Sequence, residues 1–314
     1  MRDGQAEEFE RLRPLLFSIA YRILGSVSDA QDALQDAWLR YQASPSPPDS
    51  ARAYLSTVVT RIAIDMLRSA RARREQYVGL WFPEPLLEDP YQDPERAAVL
   101  ADSLSMAALL LLERLSPVER AVFVLRDVFG FSFAEIARAV GRSEASCRQH
   151  ALRARRHMEA NQPRFEADPR KREELARRFF TAFADGDVQG LHELLASDAQ
   201  LISDSGGRAP QWGEGVAGAE KVARLLASLG GPFDQAGGVV VPHQVNGQPG
   251  AIFRSREGKV INTWTLEIGE AGVQVIRTVL NPEKLRHMGE VADAAAVLRD
   301  TLRTRQQSRD KASR

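Results

Sequence analysis

The sequence contains one cysteine, Cys147, in 314 residues. This scarcity excludes an internal disulfide and a zinc site built from several cysteines. The chain also lacks an apolar run near the roughly 20 residues that a membrane span needs. Its start, MRDGQAEEFERLRP, lacks the apolar core of a signal peptide. These absences predict a cytoplasmic protein with no membrane partner. We also expect no metal and no cofactor.

The chain also has no formal net charge, because 42 Lys and Arg residues balance 42 Asp and Glu residues. A neutral total argues against a nucleic-acid partner, yet a sum over the whole chain conceals local patches. Two basic patches are present, RSARARR at 68–74 and RARRH at 153–157. The 44% hydrophobic content is ordinary for a globular protein, and the length suits two or three domains.

The first half of the chain has helical periodicity. Residues 7–75 carry apolar side chains at three- and four-residue spacing, which predicts three helices in one bundle. Gly25 ends the first helix, Ser28 caps the second, and Asp49 or Ser50 starts the third. A proline-interrupted linker at 76–95 precedes a second helical block at 96–160.

The last part of the chain changes pattern. Two helices joined at Asp185-Gly186 are followed, from residue 199, by alternating apolar runs that hairpin signals such as Asn246-Gly247 separate. Helices followed by an antiparallel meander predict an α+β domain over 171–290. The polar tail at 299–314 is predicted to be disordered.

The second helical block contains a helix-turn-helix signature. Ser132 or Phe133 opens a short helix, Gly141 makes a turn, and Ser143 caps a longer basic helix. In such a motif the second helix enters the DNA major groove, with its N-terminal residues on base edges. The alternative is a basic amphipathic helix that is merely solvated, but the glycine turn and the cap favour the DNA-binding interpretation.

Periodicity separates the two faces of this longer helix. Cys147, Ala151, Ala154 and Met158 are predicted to pack inward, which makes Cys147 a core residue rather than a redox switch. Near the N-terminal half, the outward residues are candidate base readers: Ser146, Arg148, Gln149 and His150. Further along, three arginines are placed for phosphate contacts: Arg153, Arg155 and Arg156.

Taken together, the two helical blocks resemble the sigma-2 and sigma-4 domains of extracytoplasmic-function (ECF, group IV) sigma-70 factors. The resemblance rests on DAQDALQDAWLRY and RAYLSTVVTRIAIDMLRS in the first block and on the segment from LSPVERAVFVLRD to RARRHM in the second. It implies two all-α domains, 7–75 as sigma-2 and 96–160 as sigma-4. The implied partners are core RNA polymerase and promoter DNA, with the −10 element read by the first domain and the −35 element by the second.

A polymerase-binding surface is expected on the second helix. Asp29, Asp32, Gln35 and Asp36 lie on one stripe, and an acidic stripe suits the family's contact with the basic clamp coiled coil of the β-prime subunit. A solvated charge run is the alternative.

The third helix is the expected −10 reader, because opening DNA needs polar and aromatic groups that hold an unstacked base and cations that hold the backbone. Tyr54 stands where the family usually has tryptophan and Arg61 where it usually has asparagine. The resemblance therefore does not identify which −10 base is captured. Tyr54 could equally be a core residue. The candidates on this helix are Tyr54, Thr57, Thr60, Arg61, Arg68 and Arg71.

The rest of the chain resembles the SnoaL-like C-terminal extension of some sigma factors, an NTF2-like cone domain. Three motifs carry this resemblance, WFPEP at 81–85, DSGGR at 204–208 and NPEKL at 281–285, against family patterns close to WLPEP, DGGGK and NPDKL. Phe82, Ser205, Arg208 and Glu283 are mild departures from those patterns.

The prolines hold the linker motif extended, so its aromatic rings must find a groove on a neighbouring domain. We expect WFPEP to dock near NPEKL and act as a built-in switch in place of a separate anti-sigma factor. The alternative is a linker that follows the RNA-exit path of the polymerase. The residues of this expected regulatory contact are Trp81, Phe82, Pro83, Glu84, Pro85, Asp204, Asn281, Pro282, Glu283, Lys284 and Leu285.

An enzymatic role for the third domain has weak support. Asp204, His192 and His243 are conceivable acid or base groups, but nothing in the sequence indicates that they converge, and DSGG is typical of a turn that leaves a strand. A small ligand in the pocket of the cone is a further possibility. The sequence therefore predicts a promoter-specificity subunit that is not an enzyme. The alternative is a ligand-responsive helix-turn-helix regulator or pocket enzyme that acts without polymerase.

Overall fold

The structure, a computed structural model, describes residues 2–44, 48–74, 76–161, 168–208 and 215–312. The chain forms two compact units, one of Met1–Gln76 with Glu88–Gln162 and one of Tyr77–Leu87 with Pro163–Arg314. The predicted linker at 76–95 is thus divided, because Tyr77–Leu87 belongs to the second unit while Gln76 and the residues from Glu88 onward belong to the first. The two helical blocks, expected as separate readers, share one compact unit.

The described part of the first unit is helical. Its α-helices are α1 (Arg2–Leu24), α2 (Val27–Gln42), α3 (Ala51–Arg74), α4 (Ala97–Leu104), α5 (Met106–Glu113), α6 (Pro117–Phe123), α7 (Phe133–Val140) and α8 (Glu144–Asn161). A short 3-10 turn, Pro94–Arg96, precedes α4, and a π-helical segment, Val124–Val128, continues α6.

Local capping explains where the first helices begin and end. Gly25 ends α1 with a positive φ of 70°, which an L side chain rarely adopts. The cap of α2 is Ser26 rather than the predicted Ser28: the Ser26 backbone is extended and its Oγ accepts a hydrogen bond from the Asp29 N–H at 3.0 Å. At the start of α3, the Ser50 Oγ accepts from the Ala53 N–H at 3.3 Å, as predicted for Ser50.

Two fully buried arginines join the helical blocks of this unit. The Arg22 guanidinium, on α1, donates to Ser103 Oγ at 2.9 Å and lies 2.9 Å from a carboxylate oxygen of Asp89. Arg120, on α6, donates from Nε to the Arg22 carbonyl at 2.8 Å and also bonds to Glu113. Charges this deep are tolerated because each has hydrogen-bond partners.

The second unit is an α+β fold built on one six-stranded sheet. Its elements are α9 (Pro169–Asp185), α10 (Val188–Leu194), β1 (Leu195–Asp204), β2 (Val216–Ala217), α11 (Ala219–Gln235), β3 (Val239–Val245), β4 (Gln248–Arg254), β5 (Val260–Gly269), β6 (Gly272–Val279) and α12 (Ala294–Ala312). The strand order is β2-β1-β6-β5-β4-β3.

The predicted meander is present as β3 to β6, and Asn246 makes the first hairpin turn with a φ of 54°. The sequence pattern missed the pairing of β1, which lies parallel to β6. The apolar faces of α9, α11 and the sheet enclose a core in which Phe183, Phe253 and Trp264 pack ring against ring.

The predicted disorder of the tail at 299–314 is wrong for its described residues, because the tail continues the helix α12. The prediction considered only the polar residues after 299. The helix starts earlier, with apolar residues that line the inside of the domain together with Thr301: Ala294, Val297 and Leu298. Through this apolar stripe α12 packs on the domain. Among the described helices, none combines the length and apolarity needed to cross a bilayer.

Candidate nucleic-acid interface and linker anchor

The helix-turn-helix is formed by α7 and α8. Ser132 and Glu135 make a reciprocal capping box at the start of α7, and Gly141 ends the helix in the left-handed region with a φ of 66°. The Ser143 Oγ then accepts from the Ser146 N–H at 3.2 Å, which starts α8. These local contacts set the turn that orients the second helix.

The faces of α8 are divided as predicted. Cys147, Ala151, Ala154 and Met158 are at most 4% exposed, and Cys147 packs as a small core residue. Among the candidate base readers, Arg148 and Gln149 are exposed, while Ser146 and His150 are partly buried. The face predicted to read bases is therefore open to solvent along its centre.

Intramolecular partners already hold several cations of α8. Arg148 bonds to Glu144 at 2.9 Å and lies over the Phe133 ring, 5.1 Å from its centroid. Arg155 is paired with Asp127 at 2.5 Å. Arg156 is exposed. Arg148 and Arg155 are therefore oriented by contacts within the protein, and a phosphate ligand would have to compete with their carboxylate partners.

Arg153 and the capping residue Glu119 form a second pair, at 2.9 Å. The His150 ring lies 2.8 Å from the Arg153 guanidinium and 3.7 Å from Glu119. Burial alone would raise the pKa of Glu119, but hydrogen bonds from Ser116 and Arg153 lower it to about 2. Glu119 therefore stays charged and ties α8 to the N-terminus of α6.

The acidic stripe of α2 faces solvent. Asp32, Gln35 and Asp36 are exposed and Asp29 is partly buried, whereas Ala30, Ala33, Leu34 and Ala37 on the other side are buried in the core. An outward acidic surface backed by a packed bundle suits a basic protein partner.

On α3 the structure corrects one predicted site residue. Thr60 is 0% exposed and its hydroxyl donates to the Ser56 carbonyl at 2.6 Å, so it belongs to the core. The helical spacing that placed Thr60 beside Arg61 could not show that α3 is packed on more than one side. Thr57 is partly buried. Tyr54 is also partly buried, with its ring 5.9 Å from that of Tyr41.

The cationic candidates on α3 differ in their surroundings. Arg61 donates to the carbonyls of Ala139, at 3.1 Å, and Arg138, at 2.6 Å, and so binds the C-terminal end of α7. Arg68 is exposed and pairs with Asp65 at 3.0 Å. The Arg71 side chain lies outside the described residues. A DNA contact by the Arg61 guanidinium would therefore require its two bonds to α7 to break.

A buried polar cluster of the second unit surrounds Asp204, at the end of β1. Asp204 is 0% exposed, and one carboxylate oxygen accepts from the Lys284 ammonium at 2.6 Å and from the Phe82 N–H at 2.8 Å. The other oxygen accepts from the Tyr77 hydroxyl at 2.5 Å and the Gly206 N–H at 3.1 Å. Four donors satisfy the buried charge, which is the condition for its stability.

Lys284 and Asn281 complete this cluster, which we call the linker anchor and define as Tyr77, Phe82, Asp204, Asn281 and Lys284. The Lys284 ammonium also donates to the Phe82 carbonyl, and the Asn281 amide donates to the Tyr77 hydroxyl at 2.8 Å. Burial and the hydrogen bond to Asp204 raise the pKa of Tyr77, so its hydroxyl keeps the proton that it donates.

The linker motif continues across the domain as an extended segment. The Leu86 N–H donates to Asn246 Oδ1 at 3.2 Å, and the Asn246 N–H returns a bond to the Leu86 carbonyl at 2.7 Å. His287 Nε2 lies 2.7 Å from the Pro85 carbonyl. The Trp81 ring lies under the Lys284 ammonium, 4.3 Å away, in cation–π geometry.

The structure brings most of the expected regulatory residues together. Phe82, Pro83, Glu84 and Pro85 are buried, as are Asn281, Lys284 and Leu285. Pro282 is partly buried in the 3-10 turn Pro282–Lys284. Glu283 is exposed and pairs with Arg208 at 3.0 Å, at the edge of the cluster.

Sequence reasoning missed Tyr77, Asn246 and His287. The hairpin signal of Asn246-Gly247 was recognised, but a turn signal does not reveal a side chain that also binds another segment. His287 lies two residues after NPEKL, close enough to have been included with that motif.

The conceivable catalytic groups do not form one site. Asp204 is fully buried and bonded within the linker anchor, while His192 on α10 and His243 on β3 are exposed. A general acid or base needs hydrogen-bond reach to a bound substrate, and a carboxylate surrounded by four donors offers none.

Two family models match the chain. Sigma-70 region 2 matches residues 9–73, which include the acidic stripe and α3. Sigma-70, region 4 matches residues 105–158, which include the helix-turn-helix. The two matches therefore cover both helical blocks of the first unit.

Full-length relatives extend this similarity into the second unit. The ECF RNA polymerase sigma factor SigJ of Mycobacterium tuberculosis is 42% identical over 227 residues, 72% of this chain and 73% of the relative. The probable ECF RNA polymerase sigma factor SigI of the same species is 30% identical over 277 residues, 87% and 92% of the two chains.

A solved structure covers nearly the whole chain. The crystal structure of the M. tuberculosis ECF sigma factor SigJ matches with a TM-score of 0.69 and 34% identity, over 90% of this chain and 98% of that one. The matches confirm the predicted fold class, two all-helical sigma domains followed by an α+β domain.

Proposed function

This chain belongs to the ECF RNA polymerase sigma factors, which direct promoter-specific transcription initiation, and on this premise we propose that its C-terminal domain modulates that activity by holding the linker. Sigma factors bind core RNA polymerase and promoter DNA. The C-terminal domain regulates the sigma domains of the same chain. It does so without a separate anti-sigma factor and without catalysing a reaction.

The linker anchor carries the proposal. The linker connects α3, the expected −10 reader, to the helices that lead into the −35 reader, yet Tyr77–Leu87 packs with the C-terminal domain. A chain segment can span at most about 3.3–3.6 Å per residue, so fixing these residues limits the positions that the two readers can take. Polymerase requires the readers at the spacing of its promoter elements.

The contacts between the linker and the C-terminal domain are strong enough to bias the equilibrium between a docked and a released linker. Phe82 is 2% exposed, and burial of such a side chain contributes about 1.5–3 kcal/mol. The hydrogen bonds of Phe82 and Leu86 add to this term, and a bias of about 3 kcal/mol changes a two-state ratio more than a hundredfold.

We assign the remaining surfaces by the same reasoning. The α2 stripe of Asp29, Asp32, Gln35 and Asp36 binds the β-prime clamp coiled coil. Tyr54, Thr57, Arg61 and Arg68 on α3 contact the −10 element, and Arg71 stays a candidate from sequence. Ser146, Arg148, Gln149 and His150 read −35 bases, while Arg153, Arg155 and Arg156 contact phosphates.

Run-off transcription with core polymerase tests the regulatory role. We expect Trp81→Ala to change transcript yield severalfold, because it removes the ring that supports the Lys284 ammonium. Leu80→Ala is the matched control, since Leu80 is the preceding linker residue and is 45% exposed. Equal yields from wild type, Trp81→Ala and Lys284→Met would contradict regulation through the anchor while leaving the sigma activity intact.

A further inference from the structure

A large apolar side chain, Leu152, lies on the solvent face of α8. It is 49% exposed, whereas Ala151 and Ala154 on the packed face of the same helix are at most 2% exposed. Because Leu152 does not belong to the packed face, the core of the unit does not require leucine at this position. Exposed leucines are ordinary on protein surfaces, so the informative feature is where Leu152 lies on the helix.

Leu152 lies between two of the candidate base readers. An α-helix turns about 100° per residue, so Leu152 is about 40° from Arg148 and about 60° from Gln149 around the helix axis. Both of these residues are exposed, and they precede Leu152 by about one turn. Helical side chains lean toward the N-terminus of the helix, which directs the Leu152 side chain back toward this pair.

The charged side chains on either side of Leu152 are bound to other elements of the unit. Arg153 pairs with Glu119 of α6 at 2.9 Å, and Arg155 pairs with Asp127 of the π-helical segment at 2.5 Å. The two guanidinium groups are thus held against the protein, and Leu152 stays exposed between them around the helix. A helix that enters the major groove with Arg148 and Gln149 on base edges therefore also brings Leu152 to the bases.

The apolar feature that base edges present in the major groove is the C5-methyl group of thymine. Guanine, adenine and cytosine present hydrogen-bond donors and acceptors in its place. A leucine placed against those groups removes their water without offering a hydrogen bond, which is unfavourable. Against a thymine methyl group the same side chain buries apolar surface on both partners, which is favourable.

We propose that Leu152 is a specificity-determining residue that reads a thymine of the −35 element through its C5-methyl group. This inference rests on the proposed reading of that element by α8, and it adds a base contact that needs no hydrogen bond. One helical turn rises about 5.4 Å and base pairs stack about 3.4 Å apart. The thymine therefore lies one or two base pairs from those that Arg148 and Gln149 contact.

Deoxyuridine is the probe, because it lacks only the C5-methyl group of thymidine and keeps its pairing with adenine. Binding of the holoenzyme is measured on the preferred −35 duplex, with each thymine of either strand replaced in turn. We expect one replacement to weaken binding about fourfold, the ratio that corresponds to burial of one methyl-sized group. A preferred −35 sequence without thymine, or replacements that all leave the affinity unchanged, would overturn the proposal.

Leu152→Ala tests whether this side chain reads the methyl group, since alanine is too short to reach it. The variant should bind the thymine and deoxyuridine duplexes equally, whereas Leu152→Met, which keeps a long apolar side chain, should retain the preference. The matched control is Val99→Ala on α4, where the valine is 44% exposed, and it should keep the fourfold ratio. An undiminished ratio in Leu152→Ala would assign the methyl contact to another residue and contradict the proposal.

Variants of the two neighbouring readers separate this inference from the function on which it rests. If Arg148→Ala lowers discrimination between −35 sequences while Leu152→Ala keeps the methyl preference, only the role of Leu152 is wrong. If Arg148→Ala and Gln149→Ala both leave discrimination unchanged, α8 does not read the −35 element, and the assignment of base contacts to this helix fails with it.

Discussion

A single carboxylate, Asp204, connects three segments that are far apart in sequence. It binds the Phe82 N–H and the Lys284 ammonium with one oxygen and the Tyr77 hydroxyl with the other. Because Asp204 is fully buried, its charge depends on these donors for stability. The same charge also depends on the linker being docked, so a change at Asp204 should disturb both the linker and the end of β1.

Asp204→Asn should release the linker. The substitution leaves the Lys284 ammonium buried without its carboxylate, and breaking a buried pair costs about 3–5 kcal/mol. We expect amide hydrogen exchange at Phe82 and Leu86 to accelerate at least a hundredfold. Asp198→Asn, an exposed position on the same strand β1, should leave exchange unchanged. Undiminished protection of Phe82 in Asp204→Asn would mean that other contacts hold the linker.

At the scale of elements, helix α8 has one face packed in the core and an outer face with two groups of polar side chains. Arg148 and Gln149 lie near its N-terminal end and are exposed, whereas Arg155 and Arg156 lie further along. Base contacts discriminate between sequences and phosphate contacts add salt-dependent affinity. The position of an arginine on this helix should therefore decide which property its removal changes.

Two alanine variants test this division on promoter DNA in the holoenzyme. Arg148→Ala should cost about 1–3 kcal/mol on the preferred −35 sequence and reduce discrimination against base changes there. Arg156→Ala should weaken binding to all sequences alike and reduce the salt dependence by about one counterion. If both variants alter discrimination equally, the assignment of base and phosphate contacts along α8 is wrong.

Helix α12 contacts the rest of the domain through apolar residues, Val297 and Leu298 among them. Leu298→Asp places a charge against the apolar interior of the domain and should lower the unfolding temperature of the C-terminal domain by several degrees, as a loss of about 2–3 kcal/mol does. Arg299→Asp puts the same side chain at the next, exposed position and should have little effect. Calorimetry compares the two, and equal melting temperatures would show that α12 does not stabilise the domain.

At the scale of the whole molecule, the surfaces assigned to polymerase and to DNA lie on one compact helical unit, and the linker motif packs with the other. The formal net charge is zero, so the chain has little electrostatic attraction to DNA as a whole. This distribution fits a subunit that polymerase delivers to promoters, because such a protein needs local contacts more than general affinity.

Charge reversal on α2 tests delivery by polymerase. Asp32→Lys combined with Asp36→Lys should reduce co-purification with core polymerase at least tenfold, since it replaces attraction to a basic coiled coil with repulsion. Gln42→Lys, an exposed change at the end of the same helix, should retain binding. Full binding by the double variant would place the polymerase contact elsewhere.

The sequence by itself determined the local features. The cap at Ser132 and the turn at Gly141 each involve backbone groups at most four positions away, so the local sequence was enough to locate the helix-turn-helix. The inward stripe of α8 followed from helical periodicity for the same reason. The extended linker followed from its prolines, which restrict the backbone whatever surrounds them.

Tertiary structure alone decided the rest. Helical spacing could not tell that Thr60 is buried, because that depends on which helices pack around α3. The tail was predicted to be disordered since its composition is polar, but α12 is stabilised by the domain that it covers. Asp204 meets Lys284 across 80 residues and Phe82 across 122, and such pairs are set by the path of the folded chain, which local patterns do not contain.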